Sequence, residues 1–364
     1  MYIKIDRNSR TPAYLQIYSA IRSLILSGDC SFGSKLPSRR ELAGDCGVSV
    51  ITVEHAYQLL SDEGLCEIRS RSGCYVRYKP ENSFPLSELP DSTDNSDMSE
   101  EFHSDDIPFS AVSAYLRRVT LDYGEKILMK SPNNGCYELR EAICRYLARS
   151  RSIQISPSQI VIGSGAEYLY GVCIQMLGRD NTVALENPSY EKIRQVYAVN
   201  GAKYELLSMD GEGIRPDELA RSKAQILHVT PFNSYPSHIT ASAARRQEYL
   251  RWARERSAVI VEDDYDSEYV LTGTAPETLF SQTFDNNVIY INTFSKTIAP
   301  SIRAGYMILP QSMLSLYNET VGFYSCTVPM LEQFFLAEWL GSGEFERNIA
   351  RIRKRISDNN TPMK

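Results

Sequence analysis

The segment that decides the fold of most of this chain reads NTFSKT at residues 292–297 and continues as SIRAGY at residues 301–306. An apolar run precedes it, so Lys296 would follow the end of a buried strand, with Ser295 before it and Arg303 seven positions after it. A lysine amine can bond covalently to an aldehyde, and a hydroxyl and a guanidinium suit a phosphate group. Pyridoxal 5'-phosphate (PLP) requires these groups, although Lys296 taken alone is more simply explained as one of many surface lysines.

The segment VIVEDDY at residues 259–265 offers further groups that this cofactor needs. It predicts a buried strand that ends in a carboxylate and a phenol. Asp263 can keep the pyridine nitrogen protonated, which makes the ring an electron sink, and Tyr265 can hydrogen-bond to the phenolic oxygen of the ring. The same roles are open to three acidic neighbours, Asp264, Asp266 and Glu268. A metal site is the alternative for this acidic cluster, but no histidine accompanies it, so we expect no metal.

Two turns complete the candidate cofactor site. The run IVIGSGAE at residues 160–167 predicts a strand, a glycine turn and a helix start, where the backbone amides of Gly165 and Ala166 would face an anion such as the cofactor phosphate. Many α/β turns look alike, so this signal is weak by itself. The run NPSY at residues 187–190 places Tyr190 after the next strand, where its ring could stack on the pyridine or, alternatively, belong to the core.

Strands and helices alternate from residue 107 onwards. Short apolar runs predict seven strands, at 159–163, 183–186, 204–208, 225–229, 258–262, 288–292 and 305–309. Helical periodicity separates several of them, at 138–148, 167–177, 242–255 and 330–339. This alternation predicts an α/β domain built on a mainly parallel sheet with crossover helices.

The first 79 residues have a different organisation. Apolar residues recur at helical spacing from 11 to 28, SRRE at 38–41 is a capping box that would start a second helix, and Ser49 can cap a third. Strand-like runs at 66–70 and 74–78 follow, joined by a turn. Three helices and a hairpin in this order predict a winged helix-turn-helix.

A winged helix-turn-helix inserts the second helix of its motif into the major groove of DNA. The predicted contacts lie at the starts of the second and third helices and in the hairpin, or wing: Ser38, Arg39, Arg40, Ser49, Val50, Thr52, His55, Arg69, Arg71 and Gly73. Arginines and hydroxyls suit phosphates and base edges. Solvated surface charge explains any single arginine equally well, but the whole set on one scaffold predicts double-stranded DNA as a partner.

The distribution of charge indicates how the chain is divided into domains, and the cysteine content indicates its cellular compartment. Residues 1–79 carry 11 Lys and Arg against 8 Asp and Glu, residues 80–106 carry 9 acidic residues and no Lys or Arg, and 107–364 balance at 28 of each. The polar, acidic composition of 80–106 predicts a flexible linker between two domains, 1–79 and 107–364. The eight cysteines have no Cys-x-x-Cys spacing, and no apolar run suits a signal sequence or a bilayer span. We therefore expect a cytoplasmic protein without a membrane partner.

The head resembles a GntR-type winged helix, in a collinear match through PAYLQI (12–17), LPSRRELA (36–43), TV (52–53), AY (56–57), EGL (63–65) and SGCYV (72–76). The segments around Lys296, Asp263, Gly165 and Tyr190 resemble fold-type-I aminotransferases. The runs GCYELREAI (135–143) and ARRQ (244–247) extend that second resemblance. From about residue 11 to 355, apart from the linker, the chain resembles the MocR/GabR-type regulators.

This resemblance implies a PLP-dependent transcriptional regulator that binds an operator, senses an amine or amino acid through an aldimine at Lys296, and forms a homodimer. It assigns Asp263 to the pyridine nitrogen, Tyr265 to the phenolic oxygen and Tyr190 to ring stacking. It assigns the phosphate to Arg303 and Ser295. The alternative is a PLP-dependent aminotransferase with an accessory DNA-binding head.

The sequence departs from the family pattern in two ways that bear on function. The loop facing the cofactor ring reads NSYPSH (233–238) and lacks the family's histidine and glycine, so Asn233 or Tyr235 would make the remaining cofactor contact. The chain stops at Lys364, before the C-terminal subdomain that in the family contributes the arginine for a substrate carboxylate. We therefore expect a C-terminally truncated aminotransferase-like domain with weak turnover at most.

Overall fold

The computed structural model describes residues 3–6, 9, 11–69, 72–79, 109–265, 267–269, 277–283 and 287–359. For residues 356–359 it describes the backbone only. These residues form two compact units, one within 1–98 and one within 99–364. The predicted linker (80–106), Arg71 and Asp266 lie outside the described residues. The domain boundaries and the roles assigned to those residues therefore stay predictions.

The first unit is a winged helix-turn-helix, as predicted. It comprises α1 (Ala13–Leu26), α2 (Arg39–Cys46), α3 (Val50–Asp62), β1 (Cys66–Arg69) and β2 (Gly73–Val76). Because of the helical periodicity of α1, Ile17, Ile21 and Ile25 lie on one face of the helix, and this face packs into a core shared with α3. The predicted capping box is confirmed, because the Glu41 amide donates to Ser38 Oγ (3.2 Å) and the Ser38 amide donates to Glu41 Oε2 (3.3 Å).

The second unit contains, within the described residues, a sheet of eight strands in the order β3-β10-β9-β8-β7-β4-β5-β6. The strands are β3 (Ile160–Gly163), β4 (Thr182–Asn187), β5 (Lys203–Asp210), β6 (Gly213–Ile214), β7 (Ile226–Val229), β8 (Val259–Asp263), β9 (Val288–Thr293) and β10 (Gly305–Ile308). From β5 through β4, β7 and β8 to β9 the pairing is parallel, whereas β10 is antiparallel to both of its neighbours. The prediction of a mainly parallel sheet is confirmed, and all seven predicted strands are present.

Helices cover both faces of this sheet. They are α4 (Phe109–Tyr123), α5 (Tyr137–Arg151), α6 (Ala166–Leu177), α7 (Glu191–Val199), α8 (Pro216–Arg221), α9 (Ala243–Arg256), α10 (Leu279–Gln282), α11 (Leu314–Thr320), α12 (Met330–Gly341) and α13 (Glu344–Asn359). Successive residues of β9 alternate between the two layers: Tyr290 packs with α5 and α12, while Ile289 and Ile291 pack with α6. Burial on both faces explains why these strands read as continuous apolar runs. No helix within the described residues is long and apolar enough to cross a membrane.

Candidate functional site

The candidate cofactor site lies along one edge of the sheet in the second unit. The parallel strands β4, β7, β8 and β9 end at the same edge, and β3 shares their direction because β3 and β9 are both antiparallel to β10. Ligands of open α/β sheets bind at the carboxyl ends of the strands. The segments at this edge carry the predicted cofactor residues Gly165, Ala166, Tyr190, Asn233, Asp263, Tyr265, Ser295, Lys296 and Arg303.

Lys296, Tyr265 and Asn233 are neighbours at this edge. The Nζ atom of Lys296 lies 4.7 Å from the centroid of the Tyr265 ring, and the Lys296 side chain is exposed, so its amine is accessible to a ligand. The Tyr265 hydroxyl donates to the backbone carbonyl oxygen of Asn233 over 2.8 Å. Asn233 Oδ1 lies 3.0 Å from His238 Nδ1. The loop that departs from the family pattern is therefore anchored to Tyr265, whose hydroxyl has a protein acceptor in this structure.

Asp263 is buried at the end of β8, and its two oxygens have different surroundings. Oδ2 accepts a hydrogen bond from the Tyr170 hydroxyl and lies 3.9 Å from His228 Nε2. Oδ1 is buried and has no hydrogen-bond partner among the described residues. A buried carboxylate oxygen without a partner is costly, so this atom is suited to a donor that a ligand would bring. Asp263 thus fits the protonated ring nitrogen of PLP.

Asp264 and Glu268 belong to a buried ionic cluster on the opposite face of the sheet. Asp264 Oδ2 lies 3.4 Å from Arg151 Nη2 and accepts from the Tyr290 hydroxyl over 2.7 Å. Glu268 Oε1 accepts from Asn292 Nδ2 over 2.9 Å. These contacts lie among the residues that pack against α5, whereas Tyr170, the partner of Asp263, is on α6. The geometry therefore separates Asp263 from the two neighbours that the sequence left as equal candidates.

The start of α6 has the backbone geometry of an anion site. Gly165 adopts φ +91°, and its own amide donates to the carbonyl oxygen of Gly163 over 2.8 Å. The first turn of α6, which begins at Ala166, has no side-chain cap, so its amides are available to a ligand. A Cβ atom at Gly165 would lie 3.2 Å from Arg303 Nη2, so glycine permits the close approach of this guanidinium. Arg303 Nη2 also donates to Glu167 Oε2 over 2.9 Å. The Lys192 amine lies 3.2 Å from the other oxygen of Glu167 and adds positive charge.

The remaining predicted cofactor residues lie close to these groups. The Ser295 hydroxyl donates to the carbonyl oxygen of Ile302 over 2.9 Å, directly before Arg303. The Tyr190 ring is half-buried and meets the Tyr235 ring edge-on, with 6.0 Å between centroids. Tyr235 is half exposed, so the two rings form an aromatic boundary that a planar ligand could contact.

Three polar residues at this edge were missed by the sequence interpretation. Two of them, Tyr170 and His228, flank Asp263. The third residue is Glu186 on β4, whose Oε2 accepts from the Ser234 hydroxyl over 2.7 Å. Burial raises the pKa of Glu186 to about 8, and the charge of Asp263 contributes to this rise. A polar residue inside an apolar strand was the only sequence signal for His228 and Glu186.

The predicted DNA-reading residues of the first unit lie at the starts of α2 and α3. The Ser49 hydroxyl accepts from the Thr52 amide over 3.1 Å and so caps α3, with Val50 and His55 exposed beyond it. The buried side chains of α3 are Val53, Ala56, Tyr57 and Leu60. Arg40 is exposed at the start of α2, and the Arg39 guanidinium forms an ion pair with Glu54. This arrangement presents the starts of both helices to a ligand.

The wing carries cationic and aromatic groups together. The Arg69 guanidinium lies 4.8 Å from the centroid of the Tyr75 ring, and the Lys35 amine lies 5.9 Å from the same centroid. Gly73 has φ +129°, and a Cβ atom there would meet the Lys35 side chain at 2.7 Å. Arg69 also pairs with Glu67 Oε2 over 3.1 Å. The hairpin therefore carries the Arg69 guanidinium on its exposed surface, and Arg71 lies outside the described residues.

Comparisons with known proteins match each unit to a family. Residues 13–76 match the model of bacterial regulatory proteins of the gntR family, and residues 105–363 match that of aminotransferase class I and II. The uncharacterized HTH-type transcriptional regulator YdeL of Bacillus subtilis is 32% identical over 96% of this chain and 78% of its own length. The probable rhizopine catabolism regulatory protein MocR of Rhizobium meliloti is 28% identical over 97% of this chain and 77% of its own length.

Among solved structures, an archaeal alanine:glyoxylate aminotransferase superposes with a TM-score of 0.63 and 25% identity. The match covers 68% of this chain and 64% of that enzyme, so the chain spans less than two thirds of it. A DNA-binding winged helix and an aminotransferase fold in one chain define a class of regulators with an enzyme-derived domain. The chain belongs to this family, the GntR-type regulators fused to an aminotransferase class I and II domain, of which MocR is a named member. Aminotransferases of this class depend on PLP.

Proposed function

We propose that this chain is a PLP-dependent transcriptional regulator that binds operator DNA through its winged helix and senses an amine or amino acid at Lys296. The single observation that carries the cofactor proposal is that the buried Oδ1 of Asp263 finds no hydrogen-bond partner in the described part of the chain. It belongs to the strand that leads to Tyr265, over whose ring the Lys296 amine lies. An amine is the class of effector that an aldehyde cofactor selects.

The residues of the site have distinct proposed tasks. Lys296 would hold the cofactor aldehyde covalently, and Asp263 would keep a proton on the ring nitrogen. The amides of Gly165 and Ala166, with Arg303 and Ser295, would bind the phosphate. Tyr190 would stack on the ring, while Asn233 and Tyr265 would border its phenolic oxygen. Bound there, PLP would supply an aldehyde that reacts reversibly with amines and a ring that withdraws electrons.

The cofactor proposal is tested by reduction with borohydride and peptide mass mapping. The full chain is incubated with PLP, reduced and digested, and we expect one cofactor mass on the peptide that contains Lys296. Lys296→Ala should lose this label. Lys223→Ala, which removes an exposed lysine between α8 and β7, is the matched control and should keep it. Labelling of the Lys296→Ala chain to the wild-type extent would refute the assignment.

We also propose that the second unit forms a homodimer. Large apolar side chains are exposed on and after α4: Phe109, Leu121, Leu128 and Met129 are 81%, 76%, 83% and 65% exposed. Exposed apolar side chains at this density suit a protein interface. Light scattering should give twice the chain mass for the wild type and a single chain mass for Leu121→Asp with Leu128→Asp. A monomeric wild type would refute this part of the proposal.

The second candidate function is an aminotransferase with an accessory DNA-binding head. It is favoured by the fold and by the presence, at the same edge of the sheet, of an exposed lysine at Lys296 and a buried carboxylate at Asp263. The two functions differ in turnover. A regulator should release less than one equivalent of keto acid per chain when mixed with an amino acid and an acceptor keto acid, whereas continuous release would establish the enzyme.

A further inference from the structure

Two cysteines of the first unit lie against each other inside the hairpin of the wing. In the β1–β2 register Cys66 pairs with Val76 and Cys74 pairs with Ile68, so the cysteines are diagonal neighbours on the inward face. Their Sγ atoms are 2.9 Å apart. A disulfide bond is about 2.05 Å long. The two sulfurs therefore need to approach by less than about 1 Å to form a bond.

The hydrogen bond between the two sulfurs makes them chemically unequal. It lowers the pKa of Cys74, against the effect of burial, and the positive charge of Arg39 lowers that pKa further. The same hydrogen bond and burial raise the pKa of Cys66. Since the thiolate is the nucleophilic form, Cys74 is the thiol that attacks first. Cys66 is then the neighbour within reach of the group formed on Cys74.

Access to the pair depends on the hairpin that covers it. Both cysteines are only 3% exposed, and a buried thiol in a rigid core is inert. Exposure of the pair therefore requires a local opening of the wing, in which β2 is hydrogen-bonded to β1 on one side and to residues 33–36 on the other. Parts of a native fold open locally, at a free-energy cost between zero and that of global unfolding. Such an opening admits a peroxide, which is little larger than water.

We propose that Cys66 and Cys74 form a modification site, an oxidisable dithiol that reacts with a peroxide and whose disulfide weakens DNA binding. Cys74 sulfur attacks a peroxide oxygen, the O–O bond breaks, and a sulfenic acid and one water result from hydrogen peroxide. Cys66 sulfur then attacks the sulfenic sulfur, and the hydroxyl leaves with the Cys66 proton as a second water. Two thiols are oxidised by two electrons, and one peroxide is reduced to two waters.

The disulfide would act on DNA binding through the outer face of the same hairpin. Tyr75 follows Cys74 and points outward between Arg69 and Lys35. Drawing the two strands together at the cysteines shifts the Tyr75 ring and with it the Arg69 guanidinium, a proposed wing contact. This consequence rests on the proposed DNA-binding function, whereas the oxidation itself does not.

The oxidation is tested on the full chain by peptide mapping. Reduced protein is treated with hydrogen peroxide, alkylated under denaturing conditions and digested. We expect one disulfide that joins Cys66 to Cys74, with the loss of two hydrogens, and its reversal by dithiothreitol. In Cys66→Ser, a dimedone probe should label Cys74. Cys136, whose pKa burial raises to about 11, is the internal control and should remain alkylatable. Alkylation of both wing cysteines, or their pairing with other cysteines, would overturn the proposal.

The effect on DNA is measured with a fluorescent duplex that the reduced protein selects from a random-sequence library. Peroxide should weaken binding by about fivefold or more, as expected for the loss of one arginine contact, and dithiothreitol should restore it. Cys30→Ser with Cys46→Ser should behave as the wild type, and Cys66→Ser with Cys74→Ser should not respond. A disulfide without a change in affinity would overturn the link to DNA. Failure of the reduced protein to select any duplex would instead refute the proposed DNA-binding function and leave the thiol result standing.

Discussion

Three consecutive acidic residues at the end of β8 have three different environments. Glu262 accepts the amides of Leu279 and Phe280 over 2.8 Å each, and so holds the start of α10. Asp263 faces the cofactor side of the sheet, and Asp264 belongs to the ionic cluster on the other side. Because neighbouring side chains of a strand point to opposite faces, one acidic run serves structure and site together. Three acidic residues that are adjacent in the sequence therefore have different environments and different partners in the fold.

Glu186 gives a residue-scale prediction about pH. Its pKa is about 8 in the folded chain against 4.5 as the ordinary value, so between these values the folded state binds more protons than the unfolded state. The stability contributed by the neutral form is fully present below pH 4.5 and is lost as the pH rises through 8. The free energy of unfolding should fall less steeply with pH in Glu186→Gln, because glutamine stays neutral. We expect its slope across this window to be smaller than that of the wild type by up to about 1.4 kcal/mol per pH unit.

Chemical denaturation between pH 5 and 8 measures this slope. A residual slope should remain in Glu186→Gln, because burial also raises the pKa of Glu262 to about 8 and that of Glu268 to about 7. Glu255→Gln removes an exposed carboxylate from α9 and is the matched control, with a slope equal to that of the wild type. Equal slopes for Glu186→Gln and the wild type would show that Glu186 is ionised in the folded chain.

At the scale of elements, the sequence predicted what depends on local patterns. Periodicity and turn residues were sufficient for the three helices of the head, its capping box at Ser38 and seven of the eight strands of the larger sheet. The two-residue strand β6 was missed, since Gly213–Ile214 is too short to have a periodicity. The parallel strands end at a common edge because they share one direction, and the alternation of strands and helices in the sequence implies this direction.

The site was predictable mainly where a residue lies at a strand end or shortly after it. Lys296, Asp263 and Gly165 have that position, and the structure brings them to one edge. Tyr170 lies inside a largely buried helix and His228 inside a buried strand, so their sequence neighbours carry no signal of a shared site. Their contacts with Asp263 arise from tertiary packing of α6 and β7 beside β8, which local patterns do not encode. Their roles beside Asp263 became visible only in the fold.

The start of α2 gives an element-scale prediction about DNA. If Arg39 and Arg40 both contact phosphates, Arg39→Ala with Arg40→Ala should weaken binding for every duplex. It should also reduce the slope of log affinity against log salt by about 2. Arg145→Ala with Arg149→Ala removes the same charge from α5 in the second unit and should leave the slope unchanged. Fluorescence anisotropy over a salt series measures both variants, and equal slopes for the two would place the DNA elsewhere on the head.

At the scale of the whole molecule, two separate cores share one chain. The buried core of the first unit draws on residues from Ile3 to Val76, and the three buried clusters of the second unit draw on residues from Val119 onwards. The proposed DNA contacts are all in the first unit and the proposed cofactor residues all in the second. Each core supports its own set of proposed functional residues, so we expect that the two proposed activities can be lost or stabilised separately.

This separation predicts two unfolding transitions in calorimetry of the full chain. At about 0.7 kcal/mol per residue, their enthalpies should be roughly 50 kcal/mol for the first unit and roughly 170 kcal/mol for the second. PLP at 100 times its dissociation constant should stabilise only the larger transition, by about 2.7 kcal/mol, because a ligand stabilises the unit whose native state it binds. In Lys296→Ala this shift should shrink, while the smaller transition stays where it was. A single transition, or a shift of both by PLP, would mean that the two cores unfold cooperatively. Binding of the cofactor would then also stabilise the DNA-binding unit.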